Sequence, residues 1–115
     1  TNPISLAGDT HNGWAFNLTN QKDEAVGVEW GTPGVSSPGL ENYVPLPPEQ
    51  MQALLKGASP DLVACDTSQR GWTQVTLAPE AATAQWRFVS SVVEPTYHTR
   101  AGEPLVSRRD TRRLT

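Results

Sequence analysis

Asp9 and His11 stand one residue apart in the stretch Gly8-Asp9-Thr10-His11-Asn12-Gly13-Trp14. A carboxylate and an imidazole are both good ligands for a borderline or hard cation. With a single residue between them, the two side chains can turn toward one point wherever the backbone curves. Gly8 and Gly13 bracket the turn and permit that curvature. A second reading of the same residues stays open. Asn12-Gly13 is a favoured type I′ pair, which makes the stretch a β-hairpin with Asp9 and His11 as solvated turn residues.

The elements that must position this loop are short and rich in β pattern. Pro3 to Ala7 reads as a strand with Ile4 and Leu6 as core residues. Trp14 to Thr19 reads as a second strand, with Trp14, Phe16 and Leu18 alternating onto one face. After the polar loop Asn20 to Glu24, Ala25 to Trp30 reads as a third, with Val26, Val28 and Trp30 on one face. Gly31 to Gly39 is a loop of the length and composition that often carries function. Pro47-Pro48-Glu49 opens a helix, with proline in its first turn and an acid at the positive end of the dipole. Met51, Leu54 and Leu55 form its apolar face, and Gly57 suits its C-terminal cap. Further strands are expected over Asp61 to Thr67, Trp72 to Leu77 and Ala82 to Ser91, the last two as a hairpin. The pattern is α+β: mainly antiparallel sheet, one face packed and one wetter, with one or two helices.

Other chemistry-bearing residues read more simply. Ser36 and Ser37 do not fit G-x-S-x-G and have no identifiable acid–base partners. Cys65 is the sole cysteine, so no intrachain disulfide is possible, and a structural thiol in a strand is its expected role. Asp66 reads as a strand-end carboxylate, and His98 as an exposed histidine in the isolated cluster Tyr97-His98-Thr99. The net charge of −3 and pI near 5.2 argue against a nucleic-acid partner. That charge is uneven: residues 100–115 hold five Arg against Glu103 and Asp110. Arg108, Arg109, Arg112 and Arg113 recur at helical spacing, but like-charge blocks usually stay solvated. Residues 95–115 are therefore expected to be a poorly ordered or peripheral tail to a domain spanning 1–94. No run approaches the ~18 apolar residues of a membrane span. No signal-peptide pattern is present, and the chain opens at Thr1, as a processed fragment would, so this carries no information on location.

Four stretches together resemble one family. Gly8-Asp9-Thr10-His11-Asn12-Gly13-Trp14-Ala15-Phe16 is similar to the last metal-binding motif of the alkaline phosphatase D (PhoD-like) metallophosphoesterases. Thr32-Pro33-Gly34-Val35-Ser36-Ser37-Pro38-Gly39 resembles the same family, as do Arg70-Gly71-Trp72 and Ala84-Gln85-Trp86-Arg87-Phe88-Val89, in the same order. The wider superfamily has G-H-x-H at the first of these. Asp9 takes the place of its first His, and His11 matches its second. The family's earlier motifs, among them G-N-H-[DE], do not occur in these residues.

The resemblance implies the C-terminal portion of an αββα metallophosphoesterase sandwich. It implies metal-dependent hydrolysis of phosphate mono- or diesters, with iron and calcium as cofactors and export to the periplasm or cell exterior. Asp9 and His11 would then be metal ligands in an incomplete site. Asn12 would be a catalytic hydrogen bonder to substrate or a ligand, and Trp14, Ser36 and Ser37 would shape the pocket. A phosphate ester is the implied partner of the intact enzyme. The chain by itself is expected to self-associate through exposed sheet edges and the wet apolar faces built from Trp14, Phe16, Val26, Val28, Trp86 and Phe88. The rival expectation is a small non-enzymatic β-rich module in which Asp9 and His11 do nothing chemical.

Overall fold

In a computed structural model, which describes residues 1–115, the chain forms two four-stranded sheets. The first contains β1 (Ile4–Ala7), β2 (Gly13–Thr19), β3 (Ala25–Gly31) and β4 (Leu62–Asp66), in the order β1-β3-β2-β4. β2 is antiparallel to both its neighbours, β3 and β4. β1 runs parallel to β3, Ile4 beside Val28 and Ala7 beside Gly31. The sheet is thus mixed rather than purely antiparallel. An alternating pattern reports which face is buried and not which strand lies alongside.

The second sheet is built on β6 (Ala81–Val89). β5 (Gly71–Leu77) forms the expected hairpin with it, from Gly71 opposite Phe88 to Leu77 opposite Ala82. β7 (Thr99–Ala101) and β8 (Leu105–Arg108) share the other edge of β6, pairing at Val89–Arg87 and at Ala84–Ala81 respectively. This corrects the expectation of a peripheral tail. Leu105 and Ser107 are buried, and Leu114 N–H donates to Asn17 Oδ1 at 2.8 Å. The arginines lie on a strand and the turns after it, not on a helix. A four-residue strand whose second inward residue is serine carries too little period-two signal to be read against an arginine-rich background.

The core lies between the sheets. Ala15, Val28 and Trp30 face Ala82, Ala84, Trp86 and Phe88, all nearly inaccessible to solvent. Val28, Trp86 and Phe88, expected to be left wet, are thus covered within the chain itself. On β2 the buried side is Gly13 and Ala15; Trp14 and Phe16 lie on the opposite, half-buried face. That face looks across a cavity of about 380 Å³ to Leu55 and Ala58 of α1 (Pro48–Ala58), so it is partly covered and the strand's larger residues turn toward the helix. Leu6, expected in the core, is 65% exposed at the outer strand β1. α1 begins with proline at its first position and Glu49 in its first turn, as expected, and buries Met51. It ends at Ser59 rather than Gly57: Ser59 N–H donates to the Leu55 carbonyl at 3.0 Å. Burial pushes the Cys65 thiol above its ordinary pKa; Lys56 opposes the rise and Asp66 adds to it. The thiol stays protonated and unreactive near neutrality.

At Gly71, β5 runs tightly against the β6 backbone. A Cβ there would fall 1.9 Å from the Arg87 carbonyl oxygen, a backbone atom that cannot move aside alone. Gly71→Ala is expected to destabilise the chain by about 3 kcal/mol through forced strand separation. A urea midpoint unchanged from wild type would show that the hairpin opens there without cost.

Candidate metal-binding loop

β1 and β2 flank β3, and Gly31 at the end of β3 is paired with both Ala7 and Trp14. Residues 8–12 therefore arch over the end of β3. The hairpin reading is overturned, because the strands on either side of the turn are not neighbours. The curvature comes from the candidate ligands themselves: Asp9 has φ 67° and His11 has φ 60°, and no glycine of the chain has a positive φ. Asp is among the residues that tolerate this region best, and His is also enriched there. Thr10 N–H donates to the Gly8 carbonyl at 2.8 Å, and the Trp14 indole N–H donates to Thr10 Oγ1 at 2.7 Å, tying the arch to β2.

His11 is held by ring and backbone. Its Nδ1 lies 2.9 Å from the Pro38 carbonyl oxygen. A carbonyl only accepts, so Nδ1 carries the proton, and in the neutral ring the lone pair is at Nε2. The His11 carbonyl accepts from Gly34 N–H at 3.0 Å and from Arg70 Nη1 at 2.7 Å. Asp9 is exposed and belongs to none of the ion pairs. Asn12, expected to face substrate, is instead wholly enclosed: Oδ1 accepts Leu40 N–H at 3.1 Å, and Nδ2 is buried without a partner.

The Pro33–Gly39 segment lies directly against this loop. Ser36 and Ser37 are exposed. Ser37 contributes its carbonyl, which accepts from Arg70 Nη1 at 2.7 Å, while Ser36 lines a separate cavity of about 280 Å³ with Trp72, Val89 and Tyr97. Trp14 and Phe16, stacked at 6.2 Å, wall a cavity of about 380 Å³ whose rim includes Gly8 and Thr10 of the arch. Arg70 is 8% exposed and pairs with Glu41 at 3.2 Å. In the sequence Arg70 stands out only as part of Arg70-Gly71-Trp72, with no sign of its reach to His11. A lone arginine among glycine and polar residues at a strand start was the available signal. Asp66 turns back on its own loop, accepting from Ser68 and Gln69 N–H, and His98 lies far along the chain, exposed in the segment just before β7.

The donors suit a metal in part. His11 Nε2 and the Asp9 carboxylate are of the right chemistry and not engaged elsewhere. No three His, Cys, Asp or Glu side chains gather into one site in this chain.

The PhoD-like phosphatase model matches residues 1–86, and the chain belongs to that family. A solved structure of PhoD aligns with 97% of the chain, with a TM-score of 0.69 at 20% identity. The likeness is one of fold: two packed sheets with a helix, an α+β part of the PhoD architecture. The chain spans 21% of that structure's length. None of the curated proteins compared with it matches by sequence.

Proposed function

We propose that this chain is the C-terminal segment of a PhoD-like alkaline phosphatase or phosphodiesterase and contributes its G-D-x-H metal-binding loop. The observation that carries the reading is the His11 imidazole, whose Nδ1–H is committed to the Pro38 carbonyl so that Nε2 is left as a donor atom, two positions along the arch from an exposed Asp9. Second-sphere hydrogen bonds of this kind commonly orient metal-bound histidines. His11 and Asp9 would hold part of the coordination sphere of the iron and calcium that the family implies. When bound, such ions supply an activated water and neutralise charge on phosphoryl oxygens. The segment's own contribution is to hold two donors at a strand end, keep the imidazole in one tautomer, and shape the adjacent wall with Trp14. Periplasmic or extracellular location accompanies the same reading, and no helix is long and apolar enough to cross a membrane.

Two donors leave most coordination positions to water. The 115-residue chain alone is expected to bind metals weakly and to turn over no p-nitrophenyl phosphate above background. Metal analysis of a phosphatase that contains the segment tests the assignment: Asp9→Ala and His11→Ala should each lower bound metal. Full metal content in both variants, or turnover by the rigorously purified chain that His11→Ala abolishes, would sink it.

A further inference from the structure

We infer that the pair formed by buried Arg70 and Glu41 is the positioning device for His11, acting by clamping the Pro38 carbonyl that fixes the imidazole's tautomer. Two peptide planes flank Pro38. Arg70 Nη1 holds the first through the Ser37 carbonyl at 2.7 Å. Glu41 Oε1 holds the second, accepting Gly39 N–H at 3.2 Å. That second plane carries the Pro38 carbonyl, the acceptor for His11 Nδ1 at 2.9 Å. Proline's ring fixes φ between the two planes, so one soft dihedral remains, and it is pinned at both ends.

The same Nη1 also holds the His11 carbonyl at 2.7 Å. One guanidinium group thus sets the ring's acceptor and the ring's own backbone relative to each other. The Glu41 carboxylate, through Oε2 at 3.2 Å, balances the buried charge and couples the two clamps. Lysine cannot reproduce this, because it offers a point charge without the planar fork. The inference rests on the reading of His11 as a ligand only for its purpose; the clamp itself concerns the metal-free chain.

The test is the tautomer of His11 in the ¹⁵N-labelled, metal-free chain, read from two-bond ¹H–¹⁵N spectra about two pH units above the ordinary imidazole value of ~6.5. The chain has two histidines, and exposed His98 is the internal reference. Wild type should show His11 with the proton on Nδ1. Arg70→Lys should lower the Nδ1–H to Nε2–H ratio roughly tenfold, the scale set by weakening one hydrogen bond to the ring, with His98 and the dispersed amide spectrum unchanged. A folded Arg70→Lys that keeps the wild-type His11 signals overturns the inference. If that variant fails to fold, Glu41→Ala decides. It removes the Gly39 N–H acceptor at a half-exposed side chain and should shift the ratio in the same direction; an unchanged ratio overturns the inference. The outcomes separate from those of the metal assignment. A tautomer that depends on Arg70, together with metal content that does not depend on His11, sinks the ligand reading and leaves the clamp standing.

Discussion

His11→Ala is expected to lower turnover of p-nitrophenyl phosphate by more than about 100-fold in a PhoD-like enzyme containing this segment. Loss of an outer partner of a metal ligand typically costs ~10–100-fold, and loss of the ligand itself should exceed that. The fall should lie in kcat, because the missing donor weakens charge neutralisation on the reacting phosphoryl group rather than ground-state recognition of the alcohol. The variant should fold. The contacts that hold position 11 in the arch, from Gly34 N–H and Arg70 Nη1, go to its backbone carbonyl and survive the substitution. Asp9→Ala should act in the same direction. Steady-state kinetics beside metal content decides the matter. Activity within a few-fold of wild type for both variants would place the metal elsewhere.

Trp86→Ala should be the most destabilising single truncation. The indole is 6% exposed in the inter-sheet core, and its N–H donates to the Gly31 carbonyl at 3.0 Å. Truncating a buried aromatic costs ~3–5 kcal/mol in transfer and cavity terms. The Gly31 carbonyl also loses its side-chain donor, which adds to the loss. Domains of this size hold ~5–15 kcal/mol in total, so the variant approaches the edge of folding. Trp86→Phe keeps most of the packing and loses only the hydrogen bond, at about 1–2 kcal/mol. Urea unfolding followed by far-UV circular dichroism reads both. A Trp86→Ala midpoint close to wild type would mean that the sheets close over the cavity.

Local pattern exposed some of this arrangement and hid the rest. The β5–β6 hairpin was legible because Ala82, Ala84, Trp86 and Phe88 alternate without interruption, against a strand of matching length across a short turn. The helix start was legible from proline and glutamate, whose preferences are local. Asp9 and His11 were legible as a pair because residue type and spacing are one-dimensional properties. The parallel pairing of β1 with β3 was not, since it depends on a partner more than twenty residues away. The inward face of β2 was misread because the second sheet covers one side and the helix partly covers the other, and the small Gly13 and Ala15 occupy the tighter one. Arg70 and Glu41 escaped for a similar reason: they come from separate loops and meet only in the folded chain.

The left-handed backbone at Asp9 and His11 sets folding and chemistry against each other at these two positions. Each L-residue held there gives up about 1–2 kcal/mol that glycine would not. Replacement by glycine at either site would relieve that backbone strain while deleting a donor, and at position 11 it would also delete the ring's hydrogen bond to the Pro38 carbonyl. Relief of backbone strain would push the arch toward glycine, and on the metal-ligand reading proposed above selection for metal binding would oppose that drift. Screens that rank variants by thermal resistance should reward glycine at position 9, and enrichment there would report a trade-off between robustness and use.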